Sequence, residues 1–531
     1  MLVVGGGITG AGAALDAASR GLRVALVEAE DFANGASSQS SKLIHGGLRY
    51  LEMLDFGLVR EALGERRSLM ETVAPHLVRP VEFLMPLRHR VWERAYLTTG
   101  LALYDSMASR GGLPRHRQRS RRGLRRSAPA LDGRRFVGGL SFHDASEDDA
   151  RMVITVVRTA AMLGAATVSG ARATTSAVEG STRVVEVVLD DGRTVSVRAK
   201  HVSYATGAWG DLQGFTTDLR IRPSKGVHLV VGRDRIAADT GIIARTSRGL
   251  LFVIPWLGHW LIGDTDTEWP YDRGTPVATS SDVDGILESV NSILGVPLDR
   301  TDVVGVFAGV RPLVQGDPRS STVRLSREHV VASAGPRRTV IAGGKYTTYR
   351  LMAADLIDDA VRRSGLVAPP SRTDSLPLIG APDTGVGPLE KLLADETGLS
   401  AAAIAHLVAR YGTQAGEVLS GGRYDGEGLM SIAGGPYLWA EIRYAFTHEG
   451  ARSVRDVLER RTRIKLLHRD GGRSLVDRVA GIGAAQLAWT PEETQKQVHD
   501  YLAVLDAEAA ALGQTNDEAA WHAYRTALRR T

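Results

Sequence analysis

Apolar runs of strand length recur through the first part of the chain and end at glycines or acidic turns. The first run, residues 2–4, leads into a glycine-rich turn, a helical pattern over 11–21 and a second strand-like run over 22–28. This order predicts a βαβ unit. Further strands are predicted at residues 81–87, 183–201 (two strands around the turn 190–192), 202–207, 226–231, 250–255, 259–263 and 340–344, and helices at 92–107, 148–163 and 347–362.

The pattern changes near residue 385, because apolar positions from there on recur only with helical spacing. Amphipathic helices are predicted at residues 389–397, 401–411, 437–448, 453–460, 490–512 and 517–529. The preceding stretch is rich in proline and glycine, which is typical of a linker. We therefore expect a linker over residues 366–384 and an all-helical C-terminal domain over 385–531.

The composition is that of a soluble protein with more than one domain. Of 531 residues, 43% are hydrophobic and 24% are charged, values close to the average for globular proteins. The chain has no cysteine, which excludes disulfides, thiolate metal sites and a cysteine nucleophile and agrees with a cytoplasmic location. The histidines lack metal-ligand spacing, so no metal site is predicted. No apolar run is long enough to span a bilayer, and residues 1–4 leave no room for a secretory signal.

The net charge of +5 is unevenly distributed. Seven arginines lie within twelve residues: Arg115, Arg117, Arg119, Arg121, Arg122, Arg125 and Arg126. Such a block suits anionic lipid, nucleic acid or a phosphorylated substrate. Because no aromatic residues interrupt it and a Gly-Gly-Leu-Pro turn precedes it, we interpret the block as a solvated basic loop and predict no nucleic-acid site.

The glycine-rich turn carries the pattern Gly5-x-Gly7-x-x-Gly10. In a dinucleotide site these glycines allow a tight turn, a close approach to pyrophosphate and close helix–strand contact. Glu28 ends the second strand eighteen residues after Gly10, where a carboxylate can bind a ribose hydroxyl. The alternative is a structural turn with Glu28 as a solvated strand end. A carboxylate there disfavours NADP, whereas FAD and NAD both remain open.

Longer motifs separate these two cofactors. They are SSQSSKLIHGGLRYL (37–51), ATGAW (205–209), AGVRPL (308–313), GGKYTTYR (343–350), HEGAR (448–452) and DVLERRTR (456–463). With these motifs the sequence resembles the FAD-dependent glycerol-3-phosphate dehydrogenases of the D-amino-acid-oxidase-like flavoprotein superfamily. The resemblance runs from the first residues to beyond residue 460.

The resemblance implies an α/β fold in which a Rossmann-like FAD-binding domain is interleaved with a substrate domain on a mixed sheet. We assign residues 1–75, 145–215 and 305–365 to the first domain and residues 76–144 and 216–304 to the second. The expected cofactor-binding residues are Gly5, Gly7, Ile8, Thr9, Gly10, Glu28, Ser38, Ser41, Lys42, His45, Gly46, Gly47, Leu48, Ala205, Thr206, Gly207, Gly344, Lys345 and Thr347.

Several charged residues are candidates for the substrate site. Only seven lysines occur in the chain, and the motif positions of Lys42, Lys225 and Lys345 indicate fixed charges. Lys345 could stabilise negative charge on a reduced flavin and is also a candidate substrate ligand, the alternative being a lysine beside a helix start.

Arg49 and Arg311 lie in turns where a guanidinium can be aimed at a phosphate or at oxygen on the reacting carbon. Tyr50 adds a hydroxyl donor beside Arg49. Taken singly, an arginine in such a turn is more often a surface residue or an ion-pair partner. The family resemblance favours both as substrate ligands.

His45 and His228 are the candidate bases for the hydroxyl proton, because imidazole titrates near the working pH. A structural histidine is the alternative for each. We assign charge stabilisation to Arg311, since arginine is not deprotonated in proteins. Asp264 stands where similar sequences usually have threonine, and a carboxylate near a phosphate is unfavourable unless an arginine pairs with it.

The implied reaction is hydride transfer from C2 of sn-glycerol 3-phosphate to flavin N5, which yields dihydroxyacetone phosphate. A quinone is the implied acceptor, which places a peripheral protein on the inner face of the cytoplasmic membrane, in contact with anionic lipid. An oxygen-using glycerol-3-phosphate oxidase, an amine or amino-acid oxidase of the same superfamily and a non-catalytic flavin-binding sensor stay open. The oligomeric state is also open, with a homodimer as one alternative.

Overall fold

The computed structural model describes residues 1–47, 55–108, 113–211, 219–315, 328–383, 385–422 and 427–530. In chain order its strands are β1 (Leu2–Val4), β2 (Ala25–Val27), β3 (Leu43–Ile44), β4 (Arg79–Leu87), β5 (Arg117–Ser120), β6 (Gly138–Ser146), β7 (Ala166–Val168), β8 (Ala171–Glu179), β9 (Thr182–Leu189), β10 (Thr194–Ala199), β11 (Val202–Tyr204), β12 (Ile221–Gly232), β13 (Gly241–Thr246), β14 (Gly249–Trp256), β15 (His259–Gly263), β16 (Thr267–Glu268), β17 (Val303–Val314), β18 (His329–Ser333) and β19 (Arg338–Gly343).

The helices of the described residues are α1 (Ile8–Ser19), α2 (Phe56–Ser68), α3 (Trp92–Met107), α4 (Arg121–Ser127), α5 (Asp149–Met162), α6 (Ser280–Asn291), α7 (Tyr349–Ser364), α8 (Val386–Thr397), α9 (Ala401–Tyr411), α10 (Ala415–Gly422), α11 (Trp439–His448), α12 (Val454–Asp456), α13 (Ile464–Leu467), α14 (Val476–Leu487), α15 (Pro491–Leu512) and α16 (Asp517–Arg530). Within the described ranges, no helix combines the length and apolar character needed to cross a membrane.

A six-stranded sheet in the order β18-β19-β11-β1-β2-β7 carries the predicted βαβ unit. Its strands run parallel except for β18. The central strands β1, β2, β11 and β19 are short and mostly buried, as expected for a parallel sheet covered by helices. Helices α1, α5 and α7 contribute Ala13, Val153 and Leu356 to one apolar core against this sheet. Consequently the glycine turn lies at the carboxyl end of β1, where doubly wound sheets bind nucleotides.

A larger mixed sheet follows the order β16-β12-β15-β14-β13-β4-β6-β3, with β17 paired to β12 and β5 paired to β6. The pairs are antiparallel except β13 with β4, so the predicted mixed sheet is present. Strand β17 pairs with β12 over most of its length. The topology therefore moves its residues from the FAD-binding segment 305–365, where the sequence analysis placed them, to the substrate sheet.

The predicted hairpin within residues 183–201 is formed by β9 and β10, which pair antiparallel. With β8 it makes a separate three-stranded sheet. This sheet rests on the FAD-binding layer through Val185 and Val187, which share an apolar cluster with Val4 and Tyr204.

The C-terminal part is helical, but the prediction over residues 453–460 needs correction. There the chain forms the short helix α12 and a π-helical turn at Val457–Arg461, both largely buried. Three helices had no clear sequence signal: α10, α13 and α14. Glycines in α10 and α14 weaken helix propensity, and α13 is a single turn. The expected linker is anchored at Leu378, which is buried and whose amide donates to the Val73 carbonyl (2.8 Å).

The arginine block is not a loop, which corrects the sequence interpretation. Its first part forms β5, and its second part forms α4. Arg119 donates to Glu82 (2.6 Å) across the sheet, which fixes the strand. The predicted solvation of the block holds for its other arginines, which are exposed.

Candidate active site

The glycine turn forms the tight junction between β1 and α1. Gly5 adopts a φ of +108°, and a Cβ there would lie 2.5 Å from the Ala205 carbonyl oxygen. A Cβ on Gly10 would clash with the Gly5 carbonyl, so the helix can approach the strand only with glycine there. Gly7 caps α1, and the next amide, of Ile8, donates to Ser37 Oγ (3.0 Å). The start of α1 thus faces residues 37–42, which begin the motif 37–51.

Glu28 supports the glycine turn. Its carboxylate accepts hydrogen bonds from the amides of Gly6 (2.6 Å) and Glu30 (2.9 Å). Burial raises the pKa of this carboxyl, and the two amide donors oppose that shift. The sequence analysis assigned Glu28 a ribose contact. In the structure it lies beside the turn and also lines the adjoining cavity.

A cavity of about 1060 Å³ extends from this turn. Residues of three predicted cofactor motifs line it: Gly5, Gly7, Ile8, Thr9, Glu28, Ala205, Thr206 and Gly207. The hydroxyl of Thr206 is buried without a hydrogen-bond partner among the described residues. Gly207 has a φ of +52° and leaves open space where a side chain would stand. A polar group that lacks a partner, beside a glycine-lined cradle, fits the pyrophosphate and ribityl parts of FAD.

Lys42, in the motif 37–51, forms a buried ion pair. It is completely buried, and its Nζ donates to Asp149 (2.6 Å) and to the Ser38 carbonyl (2.7 Å). Burial lowers its pKa to about 8, although Asp149 acts in the opposite direction. The ammonium also lies 4.8 Å from the centroid of the Phe307 ring. Lys42 therefore connects residues 38–42 to the start of α5.

The motif 37–51 contacts the motif 343–350 through the Thr347 side chain. The His45 amide donates to Thr347 Oγ1 (3.2 Å), and the Gly46 amide donates to the Tyr104 hydroxyl (2.9 Å). Lys345 caps the turn Tyr346–Thr348. The structure thus brings His45, Gly46, Lys345 and Thr347 together, and Gly47 follows them with a φ of +74°. Leu48, Arg49 and Tyr50 lie outside the described residues.

The turn before Lys345 requires glycine. Gly344 has a φ of +82°, and a Cβ there would lie 2.5 Å from the Met352 sulfur. Lys345 is also close enough to Glu61 of α2 to act on the pKa of that carboxyl, which burial raises. The lysine charge therefore lies in an acidic neighbourhood at the edge of the cofactor motifs.

His228 on β12 and Arg311 on β17 lie on neighbouring strands of the substrate sheet. His228 pairs in register with Phe307, and their rings stack with centroids 5.0 Å apart. Its Nε2 lies 2.9 Å from Ser41 Oγ, whereas its buried Nδ1 has no partner among the described residues. Burial lowers the His228 pKa to about 4. The imidazole is therefore neutral at pH 7 and retains a lone pair for a proton.

Arg311 is held by an acidic neighbour. Its guanidinium donates to the Asp264 carboxylate and to the Thr265 carbonyl (3.0 Å). It occupies space that exists because residue 226 is glycine, since a Cβ on Gly226 would clash with it. Asp266, fixed by Ser224, lies 4.0 Å away. The pairing of Asp264 with an arginine, which the sequence analysis named as a condition, is thus present.

Lys225, which the sequence analysis grouped with the motif lysines, lies apart from Lys42 and Lys345. It is buried on the other face of β12, and Asp282 and Asp517 accept from its ammonium. Asp149 and Phe307 contact Lys42 and were not predicted as site residues. The signal for Asp149 was an acidic pair directly after strand β6 at a helix start, and Phe307 gave no signal beyond the strand pattern.

The chain matches two known protein families. Residues 1–350 match the FAD dependent oxidoreductase family, and residues 371–494 match the C-terminal domain of alpha-glycerophosphate oxidase. The chain is 43% identical over 530 residues to the glycerol-3-phosphate dehydrogenase of Mycobacterium leprae, covering 98% of this chain and 90% of that protein. It is 36% identical over 527 residues to the mitochondrial glycerol-3-phosphate dehydrogenase of Homo sapiens, covering 94% and 72%.

Solved structures support the same assignment. The glycerol-3-phosphate dehydrogenase from Bacillus halodurans, complexed with FAD, matches with a TM-score of 0.77 and 26% identity, covering 94% of this chain and 93% of that one. The L-alpha-glycerophosphate oxidase from Mycoplasma pneumoniae matches in fold, with a TM-score of 0.56 and 18% identity over 71% and 98% of the two chains. The predicted fold class and FAD as cofactor are confirmed. The chain therefore belongs to the FAD-dependent oxidoreductase family, among the FAD-dependent glycerol-3-phosphate dehydrogenases that its motifs predict.

Proposed function

We propose that this protein oxidises sn-glycerol 3-phosphate to dihydroxyacetone phosphate. The observation that carries the proposal is the placement of Arg311 and His228 on neighbouring strands, together with relatives named for this substrate along nearly their whole length. The arginine supplies a cation for the substrate, and the histidine supplies a neutral base. An amine or amino-acid oxidase function does not explain why the relatives are named for glycerol 3-phosphate. A non-catalytic sensor function does not explain the neutral base His228.

The chain's residues divide the chemistry among them. FAD, when bound, accepts the hydride from the substrate. Arg311 binds the phosphate or the oxygen on the reacting carbon through its forked donors, and Arg49 and Tyr50 assist. His228 receives the hydroxyl proton at Nδ1, because a hydrogen bond from Nε2–H to Ser41 Oγ would leave the other lone pair available. His45 is the alternative base, and Lys345 stabilises negative charge beside the cofactor.

The expected cofactor set is proposed as the FAD site. The cavity and the turn geometry support Gly5, Gly7, Ile8, Thr9, Gly10, Ala205, Thr206 and Gly207 at its nucleotide end. The contacts between the motifs 37–51 and 343–350 support His45, Gly46, Gly344 and Thr347 at its flavin end. Lys42 contributes as a buried charge that orders residues 38–42 and not by direct contact.

The decisive experiment is anaerobic addition of sn-glycerol 3-phosphate to the FAD-loaded protein while flavin absorbance is followed. We expect the visible flavin bands to bleach, with one dihydroxyacetone phosphate formed per flavin. Bleaching by amino acids in place of glycerol 3-phosphate would identify an amino-acid oxidase. A loaded protein that neither substrate class bleaches would be a sensor, and the proposal would be rejected.

We propose a quinone as the electron acceptor, as in the sequence interpretation. Support comes from the relatives, which are named dehydrogenases. A glycerol-3-phosphate oxidase is the second candidate, favoured by the fold match to an alpha-glycerophosphate oxidase. Turnover in air separates them, since an oxidase forms one peroxide per product and a dehydrogenase needs an added quinone analogue.

Replacing Asp264 by asparagine is expected to lower the KM for sn-glycerol 3-phosphate by about fivefold. Substrate must compete with Asp264 for the Arg311 guanidinium, and an amide competes more weakly and does not repel a phosphate. Steady-state kinetics would measure the change. E268Q is the matched control, because Glu268, four residues further along the chain, pairs with a different arginine, Arg222. A higher KM for D264N would mean that Asp264 binds substrate itself.

We propose that the protein binds the inner face of the cytoplasmic membrane through one mixed surface, the α3–β5 surface. The apolar part consists of Val91, Trp92, Tyr96 and Leu103, and Trp92 and Tyr96 are 63% and 52% exposed. Positions 92, 96 and 103 share one face of α3. Gln118 of β5 accepts a hydrogen bond from Arg94 of this helix (3.2 Å), which places the strand that carries Arg117 beside α3. Aromatic and basic residues in this combination suit a lipid headgroup region.

The triple variant R117Q/R121Q/R122Q is expected to weaken binding to anionic vesicles by about a hundredfold, since each surface arginine contributes about 1 kcal/mol. Sedimentation with phosphatidylglycerol-containing vesicles would measure this, and wild-type binding should fall as salt rises. The matched control R193Q/R198Q/R248Q removes three exposed arginines elsewhere and should retain binding. Equal losses in both triple variants would reject the α3–β5 surface.

A further inference from the structure

The last two helices, α15 and α16, pack behind the strands that carry the substrate-site residues. Ala507 of α15 and Tyr524 of α16 share one buried cluster with Val310 of β17 and with Ala208, which follows the residues 205–207. The match to the C-terminal domain family ends at residue 494, so most of α15 and all of α16 lie beyond it. These helices contact β17 and Ala208, and most of their residues are not part of the matched family domain.

One buried lysine ties α16 to the substrate sheet. Lys225 is completely buried, and its Nζ donates to Asp282 in the first turn of α6 (2.6 Å) and to Asp517 at the start of α16 (2.5 Å). The ammonium also lies 5.5 Å from the Trp269 ring centroid. An isolated charge this deep would be strongly unfavourable, so both carboxylates are needed. Lys225 therefore joins β12, α6 and α16 at one point.

The opposite face of β12 helps to fix Arg311. Side chains alternate along a strand, so Lys225 points away from the face of its neighbours Ser224 and Gly226. Gly226 provides the space for the Arg311 guanidinium, and Ser224 donates to Asp266 beside it. In the strand register Ser224 pairs with Arg311. A displacement of β12 at Lys225 would therefore move the surroundings of the guanidinium.

We propose that Asp517, acting through Lys225, is a positioning residue for the substrate site, and that α16 clamps β12 and β17 from behind. The inference rests on the proposed oxidation of sn-glycerol 3-phosphate and gives the end of the helical region a task. Loss of the clamp loosens Arg311. It leaves the glycine turn, which belongs to the other sheet, in place. Loss of the Asp517–Lys225 ion pair alone leaves the apolar contacts of α16 with Ala208 in place, so we expect substrate affinity to change while FAD content is retained.

The test compares D517N with E518Q. Each substitution removes one negative charge from the first turn of α16, so the weaker interaction with the helix dipole is the same in both. Glu518 is exposed, whereas Asp517 receives the Lys225 ammonium. We expect D517N to raise the KM for sn-glycerol 3-phosphate by about tenfold, with kcat within about twofold of the wild-type value. E518Q should match wild type, and FAD content should be unchanged in both.

A double-mutant cycle checks that Asp517 acts through Lys225. K225M should raise the KM further, and D517N should have no additional effect in the K225M background. Equal KM values for D517N and E518Q, or a loss of FAD in step with the KM increase, would overturn the proposal. If K225M fails to fold, the comparison of D517N with E518Q decides alone. A wild-type protein that glycerol 3-phosphate fails to bleach would instead reject the proposed function, so the two failures are distinguishable.

Discussion

Replacing Arg311 by alanine is expected to lower kcat/KM for sn-glycerol 3-phosphate by about 10³-fold. The guanidinium offers a fork of donors to an anionic substrate, and two charge-assisted hydrogen bonds of about 2 kcal/mol each account for this loss. The side chain also neutralises its surroundings. Without it, Asp264 and Asp266 would lose this neighbouring cation, and their carboxylates would repel the phosphate. The loss of kcat/KM in R311A should exceed the loss in a variant that removes only one hydrogen bond to the substrate.

The control for this prediction uses the acidic neighbour. R311A/D264N removes the repelling carboxylate together with the arginine, and we expect it to recover about tenfold of the activity lost in R311A. R311K should lose less than R311A, because it keeps a charge without the planar fork. Rates of anaerobic flavin bleaching and the FAD-to-protein ratio would be measured for each variant. If R311A loses FAD as fast as it loses activity, Arg311 belongs to the cofactor site.

The parts of the fold that were predictable from sequence depend on local constraints. The βαβ unit follows from a short apolar strand, Gly5 and Gly10 at the turn and an apolar helix directly after it, and the structure places each of them as predicted. The hairpin of β9 and β10 likewise follows from alternation around an acidic glycine turn. In both elements, neighbours in sequence determine the backbone conformation, so the sequence pattern is enough to predict the structure.

The parts that could not be predicted depend on pairing between distant segments. The apolar run of β17 is equally suited to either sheet, and its pairing with β12 decides in favour of the substrate sheet. Lys42 is adjacent to cofactor residues in sequence, yet its ammonium pairs with Asp149, 107 residues away. Lys225 and Gly226 are neighbours on opposite faces of one strand, so motif position alone could not separate a clamp residue from a site residue.

The basic block shows the same limit for a surface segment. Its composition correctly indicated exposure but not conformation, because an arginine-rich stretch has no apolar period to reveal a strand. Pairing of β5 with β6 and the bond from Arg119 to Glu82 order it. The consequence for function is that these arginines are presented by a fixed strand and helix and not by a mobile loop.

Replacing His228 by asparagine is expected to lower kcat by about 10³-fold, the range for loss of a general base. The amide has a group near the position of Nδ1 but cannot accept a proton at neutral pH. Because a base must be deprotonated to act, wild-type activity should fall only as the pH drops through the His228 pKa, which burial lowers from 6.5 to about 4. The acid limb of the kcat/KM profile, which reports the free enzyme, is therefore expected well below pH 6, and H228N should lack it.

Ser41 separates a base from a structural histidine at this position. Ser41 Oγ lies 2.9 Å from Nε2, and a hydrogen bond from Nε2–H to this oxygen would select the tautomer that leaves the Nδ1 lone pair available. S41A should therefore lower kcat by about tenfold while keeping the acid limb, since the base is present but less often in the right tautomer. A structural His228 predicts the opposite pattern: loss of stability in H228N, little change of kcat in S41A and an unchanged pH profile. If His45 is the base, H45N and not H228N removes the acid limb.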